Sequence, residues 1–101
     1  MSRAAVEIPE GAVAEFCRRH RIRKLALFGS VLRADFRPDS DIDVLVEFER
    51  GHTPGLITMA AIEIELSGIL GRKVDLRTAG DLSKYFRDEV IRSAEVKYSA
   101  G

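Results

Sequence analysis

Apolar residues in this chain fall into short blocks with two rhythms, and the rhythms divide it into elements. Behind the proline–acid start Pro9-Glu10, the residues Val13, Phe16 and Cys17 recur at helical spacing, which predicts a first helix. Ile22 to Phe28 reads as a short buried strand closed by Gly29, and Ser30 to Ala34 as a helical turn or two. The loop Arg37-Pro38-Asp39-Ser40 leads into a second strand, Asp41 to Phe48, in which Ile42, Val44, Val46 and Phe48 share one face. After the turn-rich Gly51 to Gly55, a helix runs from about Leu56 to Leu70. Its stripe is Met59, Ile62, Leu66, Ile69 and Leu70, and Gly71 suits its C-terminal stop. Lys73 to Leu76 is short enough to be only a third strand. Asp81 is placed to cap a last helix, because Leu82, Phe86, Val90 and Ala94 recur every four residues. The pattern therefore predicts an α/β fold of about three strands alternating with about four helices. Strand direction cannot be read from it. No repeat or linker interrupts the pattern, so residues 1–101 are expected to form a single domain.

Composition narrows the class. Of 101 residues, 46% are hydrophobic and 32% charged, which fits neither a disordered chain nor a membrane protein. The longest apolar run falls far short of the ~20 residues that span a bilayer. Met1-Ser2-Arg3 is followed by Ala4-Ala5-Val6-Glu7 and not by an apolar leader, so a cytoplasmic location with no membrane partner is expected. The lone Cys17 excludes an internal disulfide and a cysteine-based zinc site. Sixteen basic and sixteen acidic residues cancel, whereas a protein that coats nucleic acid is normally strongly basic. Direct nucleic-acid binding is therefore not expected. Arg18, Arg19, His20, Arg21, Arg23 and Lys24 do form a basic run, read as a solvated helix end favoured by the macrodipole and lying away from Gly29.

The chemistry concentrates between Gly29 and Phe48. Asp41 and Asp43 point to one face of a strand that is otherwise mostly buried. Like charges so close repel unless a proton or a cation relieves them, and hard carboxylate oxygens favour Mg²⁺ or Mn²⁺ over softer metals. Asp75 adds a third carboxylate, in a short strand whose Val74 and Leu76 neighbours want burial. If that strand lies beside the second, the three acids converge. Gly29-Ser30 supplies a corner where backbone can approach a phosphate closely, although the pair by itself favours an ordinary helix cap at Ser30.

Gly29-Ser30, ten residues, then Asp41-Ile42-Asp43 resembles the signature of the nucleotidyltransferase superfamily that includes the polymerase-beta-like enzymes. The longer strings Phe28 to Arg33 and Arg37 to Val46 look like the minimal nucleotidyltransferase (MNT) group, and the likeness runs from about residue 10 to 98. One departure is Ala34, where the group commonly keeps a glycine. The resemblance implies the small nucleotidyltransferase fold with a mixed sheet. It implies that Asp41, Asp43 and Asp75 are catalytic and hold Mg²⁺, two ions in all. Gly29 and Ser30 would bind the triphosphate of ATP, with Arg33 and Arg37 as weaker candidates. It further implies an antitoxin that transfers AMP to a tyrosine of a HEPN-type ribonuclease toxin in a hetero-oligomer. An idle antitoxin acting by binding, or a nucleotidyltransferase acting on RNA or a small molecule, are the alternatives.

Overall fold

A computed structural model describes residues 6–33, 37 and 39–100. Its elements are α1 (Glu10–Arg19), β1 (Ile22–Phe28), a 3₁₀ turn (Gly29–Leu32), β2 (Ile42–Phe48) and α2 (Leu56–Leu70). They continue with β3 (Val74–Arg77), a second 3₁₀ turn (Ala79–Asp81), α3 (Arg87–Ser93) and β4 (Glu95–Ser99). The sheet order is β3-β2-β1-β4, with β1 antiparallel to both its neighbours and β2 parallel to β3. The class is therefore the expected α/β fold with a mixed sheet. The counts differ: the described residues form four strands and three α-helices.

One face of the sheet makes the core. Ile42, Val44, Val46 and Phe48 of β2 join Leu25 and Leu27 of β1 and Val74 and Leu76 of β3 against α1 and α2. Alternation then sends Asp43, Leu45 and Glu47 to the opposite face, where α3 and the 78–81 turn lie over part of the sheet.

The edge strand β3 owes its placement to two polar side chains on an otherwise apolar helix. Glu63 Oε2 accepts the Leu76 N–H at 2.8 Å, and Ser67 Oγ accepts the Val74 N–H at 3.0 Å. These donors face outward from the sheet, where an edge strand would otherwise present them to solvent. Helix α2 thus fixes the register of β3, and with it the position of Asp75. Gly71 stops the helix as expected, in the left-handed conformation at φ 69°.

The expected last helix is corrected. Helix α3 covers only Arg87–Ser93, Ala94 is already extended at ψ 140°, and Glu95–Ser99 pairs with β1 as β4. The four-residue recurrence was real but local. Leu25, Ala26 and Leu27 of β1 are all buried, so that strand needs a partner on its second edge, and the β-favouring Val96 and Tyr98 supply one. Asp81 caps no α-helix; its carboxylate accepts the Thr78 N–H at 3.0 Å and closes the 78–81 turn. Ala34 and Pro38 lie outside the described residues.

Candidate active site

Two of the predicted acids, Asp43 and Asp75, meet on the open face of the sheet, and Asp41 stands just before it. In the parallel pair β2–β3, Asp43 is the register partner of Asp75, and in the antiparallel pair β1–β2 it is the partner of Phe28. Both carboxylates are half-buried. Asp41 stands one residue before β2, exposed, with Oδ2 3.9 Å from Lys73 Nζ.

Gly29 is the closest neighbour of this group. It follows Phe28 directly and turns the chain at φ 75°. A β-carbon built there would lie 2.3 Å from Asp43 Oδ2, inside any real contact distance. Only glycine lets the chain turn beneath that carboxylate. Ser30 is the second residue of the 3₁₀ turn and not its cap, a place that Phe28 takes. The reading of Ser30 as an ordinary helix cap is therefore set aside.

Asp43 carries the electrostatic load. Burial raises its pKa above the ordinary aspartate value, and the neighbouring charges of Asp75 and Asp41 raise it further. Two cations oppose the rise, Arg77 and Arg33. Arg77 grips Asp75 with two hydrogen bonds, Nε to Oδ1 at 3.0 Å and Nη2 to Oδ2 at 3.2 Å. Sequence reading missed Arg77. The signal was available: it stands two residues after Asp75, hence on the same face of β3.

The donor set fits a hard divalent cation, since it consists of carboxylates alone and Asp43, raised first by burial and then by its like-charged neighbours, would be relieved by one. Among the described residues, however, no three carboxylate, imidazole or thiol groups converge closely enough to hold an ion. Asp75 and Asp41 instead face Arg77 and Lys73. Removing the Arg77 charge tests this arrangement. In Arg77→Gln, without added metal, the Asp43 carboxyl should titrate at still higher pH than in the parent. Carboxyl ¹³C shifts followed against pH read this directly, and an unchanged or lower midpoint would show that Arg77 does not act on Asp43.

Two cavities lie on this side of the sheet, neither of them lined by Asp41, Asp43 or Asp75. One, of about 310 Å³, lies between the Gly29–Leu32 turn and α3 and is lined by Gly29, Leu32, Arg33 and Val90. The other, of about 330 Å³, lies further along the open face over Ala26 and Leu45. Most of the basic run is elsewhere, at the end of α1 and the start of β1, while Lys24 lines the second cavity. Arg19 meets Glu65 at 2.6 Å, Arg21 meets Glu49 at 3.6 Å and Arg23 pairs with Glu47, so much of the run is engaged in ion pairs. Cys17 is an apolar core group whose thiol burial pushes up to about 12, too high for a nucleophile near neutral pH. No helix among the described residues is long and apolar enough to cross a membrane.

Comparison with known proteins gives a consistent answer. The family profile described as the nucleotidyltransferase domain matches residues 10–98. The protein adenylyltransferase MntA of Thermococcus cleftensis is 36% identical over 84 residues, 83% of this chain and 81% of that protein. A Methanocaldococcus jannaschii protein assigned as a protein adenylyltransferase is 32% identical over 76 residues, 75% of this chain and 80% of that one. Among solved structures, one assigned as a minimal nucleotidyltransferase is 40% identical with a TM-score of 0.69, covering 84% of this chain and 85% of that chain. A toxin–antitoxin crystal structure with AMP-PNP shares the fold at a TM-score of 0.73 and 21% identity, over 92% of this chain and 75% of that chain.

Proposed function

The chain belongs to the nucleotidyltransferase domain family, and on that premise we propose that it is a Mg²⁺-dependent protein adenylyltransferase, the cytoplasmic antitoxin of a HEPN-type toxin, which transfers AMP from ATP to a toxin tyrosine. The observation that carries the reading is the placement of Gly29 beneath Asp43 beside Asp75, a built corner where an anionic ligand can approach the two carboxylates only with a counter-ion. Relatives named protein adenylyltransferases support the reaction class, and fold neighbours described as toxin–antitoxin complexes support the partner class. One of those complexes is described as holding a tri-AMPylated Shewanella oneidensis HEPN toxin with an MNT antitoxin.

The residues divide the work. Asp41, Asp43 and Asp75 would hold the Mg²⁺, two ions in all, which supplies Lewis-acid neutralisation of the triphosphate charge. Gly29 and Ser30 bring backbone N–H groups to the triphosphate, with Arg33 beside them on the cavity wall. The phenol oxygen of the acceptor forms a bond to the α-phosphorus while the bond from that phosphorus to the bridging oxygen of the β-phosphate breaks. Pyrophosphate leaves with the electron pair, and the phenol proton passes towards the carboxylate of Asp75. Residues 10–98, the span of the family match, serve this single domain.

A thermal-shift titration tests the nucleotide part. ATP should raise Tm in the presence of Mg²⁺ by an amount that grows with ATP concentration, and far less in EDTA, because a ligand of the native state alone stabilises it. Equal shifts with and without metal contradict the reading.

A further inference from the structure

The second cavity lies on the same sheet face as Asp43 but on the far side of it from Gly29-Ser30. Ala26 pairs with Leu45 across β1–β2, two residues before Phe28 and two after Asp43. Along the strand axis the order is therefore the Gly29-Ser30 corner, then the Asp43–Asp75 pair, then the cavity. Its floor is apolar, and Ile91 of α3 and the 78–80 turn form its walls. That turn follows β3 directly and is braced by Thr78, whose N–H and hydroxyl both donate to Asp81 Oδ2, at 3.0 and 3.1 Å. The far rim is polar, with Lys24 and Glu47.

We propose that this cavity seats the aromatic ring of the acceptor tyrosine, an assignment that rests on the nucleotidyl-transfer reading above. In-line displacement puts the incoming hydroxyl opposite the leaving pyrophosphate. If the triphosphate lies on Gly29-Ser30, the acceptor comes from the cavity side. The reach agrees, because two residues along a strand span about 6.8 Å, close to the length of a phenol side chain. A ring over Ala26 and Leu45 thus places its hydroxyl at the row of Asp43 and Asp75. The floor agrees as well: it is apolar, as a ring requires, and the register puts the Asp43–Asp75 row two residues along the strands from it. The cavity bordered by Gly29 and Arg33 is left for the nucleoside.

Methyl NMR of the full chain, with N-acetyltyrosinamide as probe, tests the assignment. The probe should shift the methyls of Ala26, Leu45 and Ile91 and leave those of Leu32 and Val90, which line the other cavity, in place. Ile91→Trp, at a half-exposed wall position, should close the cavity and abolish those shifts while the spectrum stays dispersed. Shifts confined to Leu32 and Val90, or none up to the solubility of the probe, overturn it. So does a response of Ala26 and Leu45 to MgATP, which would make the cavity the base site. If MgATP moves nothing, the nucleotide reading fails by itself, while probe shifts at Ala26 and Leu45 would still uphold an aromatic occupant.

Discussion

Asp43→Asn should abolish transfer, by about 10²–10³-fold or more, while leaving the metal-free protein at least as stable as the parent. The activity loss follows from removing the carboxylate that sits over Gly29 and beside Asp75. The stability gain follows from the sign of its pKa. A carboxyl raised in the folded state stabilises the fold fully only below the ordinary aspartate value, and that contribution is lost as pH rises through the raised folded value. At neutral pH the charged Asp43 therefore opposes folding. Its amide does not, so the advantage of Asp43→Asn should grow across that window and level off above it. Urea unfolding of both proteins from acid to neutral pH measures the difference. A variant less stable than the parent at neutral pH would make Asp43 a structural residue.

Gly29→Ala should damage the protein twice, and the two effects can be separated. Holding a non-glycine residue at φ 75° costs about 1–2 kcal/mol, or about 4–16 °C of Tm for a domain this small. The added methyl also meets Asp43 Oδ2 at 2.3 Å. The carboxylate can rotate away at small cost in stability, but rotation takes it off its position beside Asp75, and activity should fall at least tenfold for a misplacement of this size. Gly71→Ala supplies the control: φ there is 69°, and nothing lies within 4 Å of its built β-carbon. It should lower Tm comparably and leave activity near that of the parent. Equal activity losses in the two variants would remove the special role given to Gly29.

Much of this was legible in the sequence. The apolar alternation of Ile42 to Phe48 marked β2 and its buried face, and the Leu56–Leu70 helix was read to its last residue with Gly71 as its stop. Placing Asp75 near Asp43 hung on β3 lying beside β2, which the sequence left as a condition and the register meets. What escaped depends on contacts distant in sequence. β4 was hidden because Leu82, Phe86, Val90 and Ala94 imitate a helix, and only the second open edge of β1 demands a strand there. Glu63 and Ser67 look like solvent-facing breaks in an apolar helix until β3 presents its N–H groups to them. The contact of Gly29 with Asp43 joins residues fourteen apart and cannot be seen in either. Arg77 was visible by alternation, two residues after the Asp75 that it holds.

The central claim is transfer of AMP to a partner's tyrosine, and intact-mass spectrometry of that partner tests it most directly. The protein is mixed with a HEPN-type candidate partner, ATP and Mg²⁺, with an Asp41→Ala reaction in parallel. The account predicts one or more AMP increments on the partner, mapped by fragmentation to tyrosine, and none with Asp41→Ala. A partner that is neutralised yet stays unmodified in both reactions would contradict it, and would leave an antitoxin that acts by binding alone.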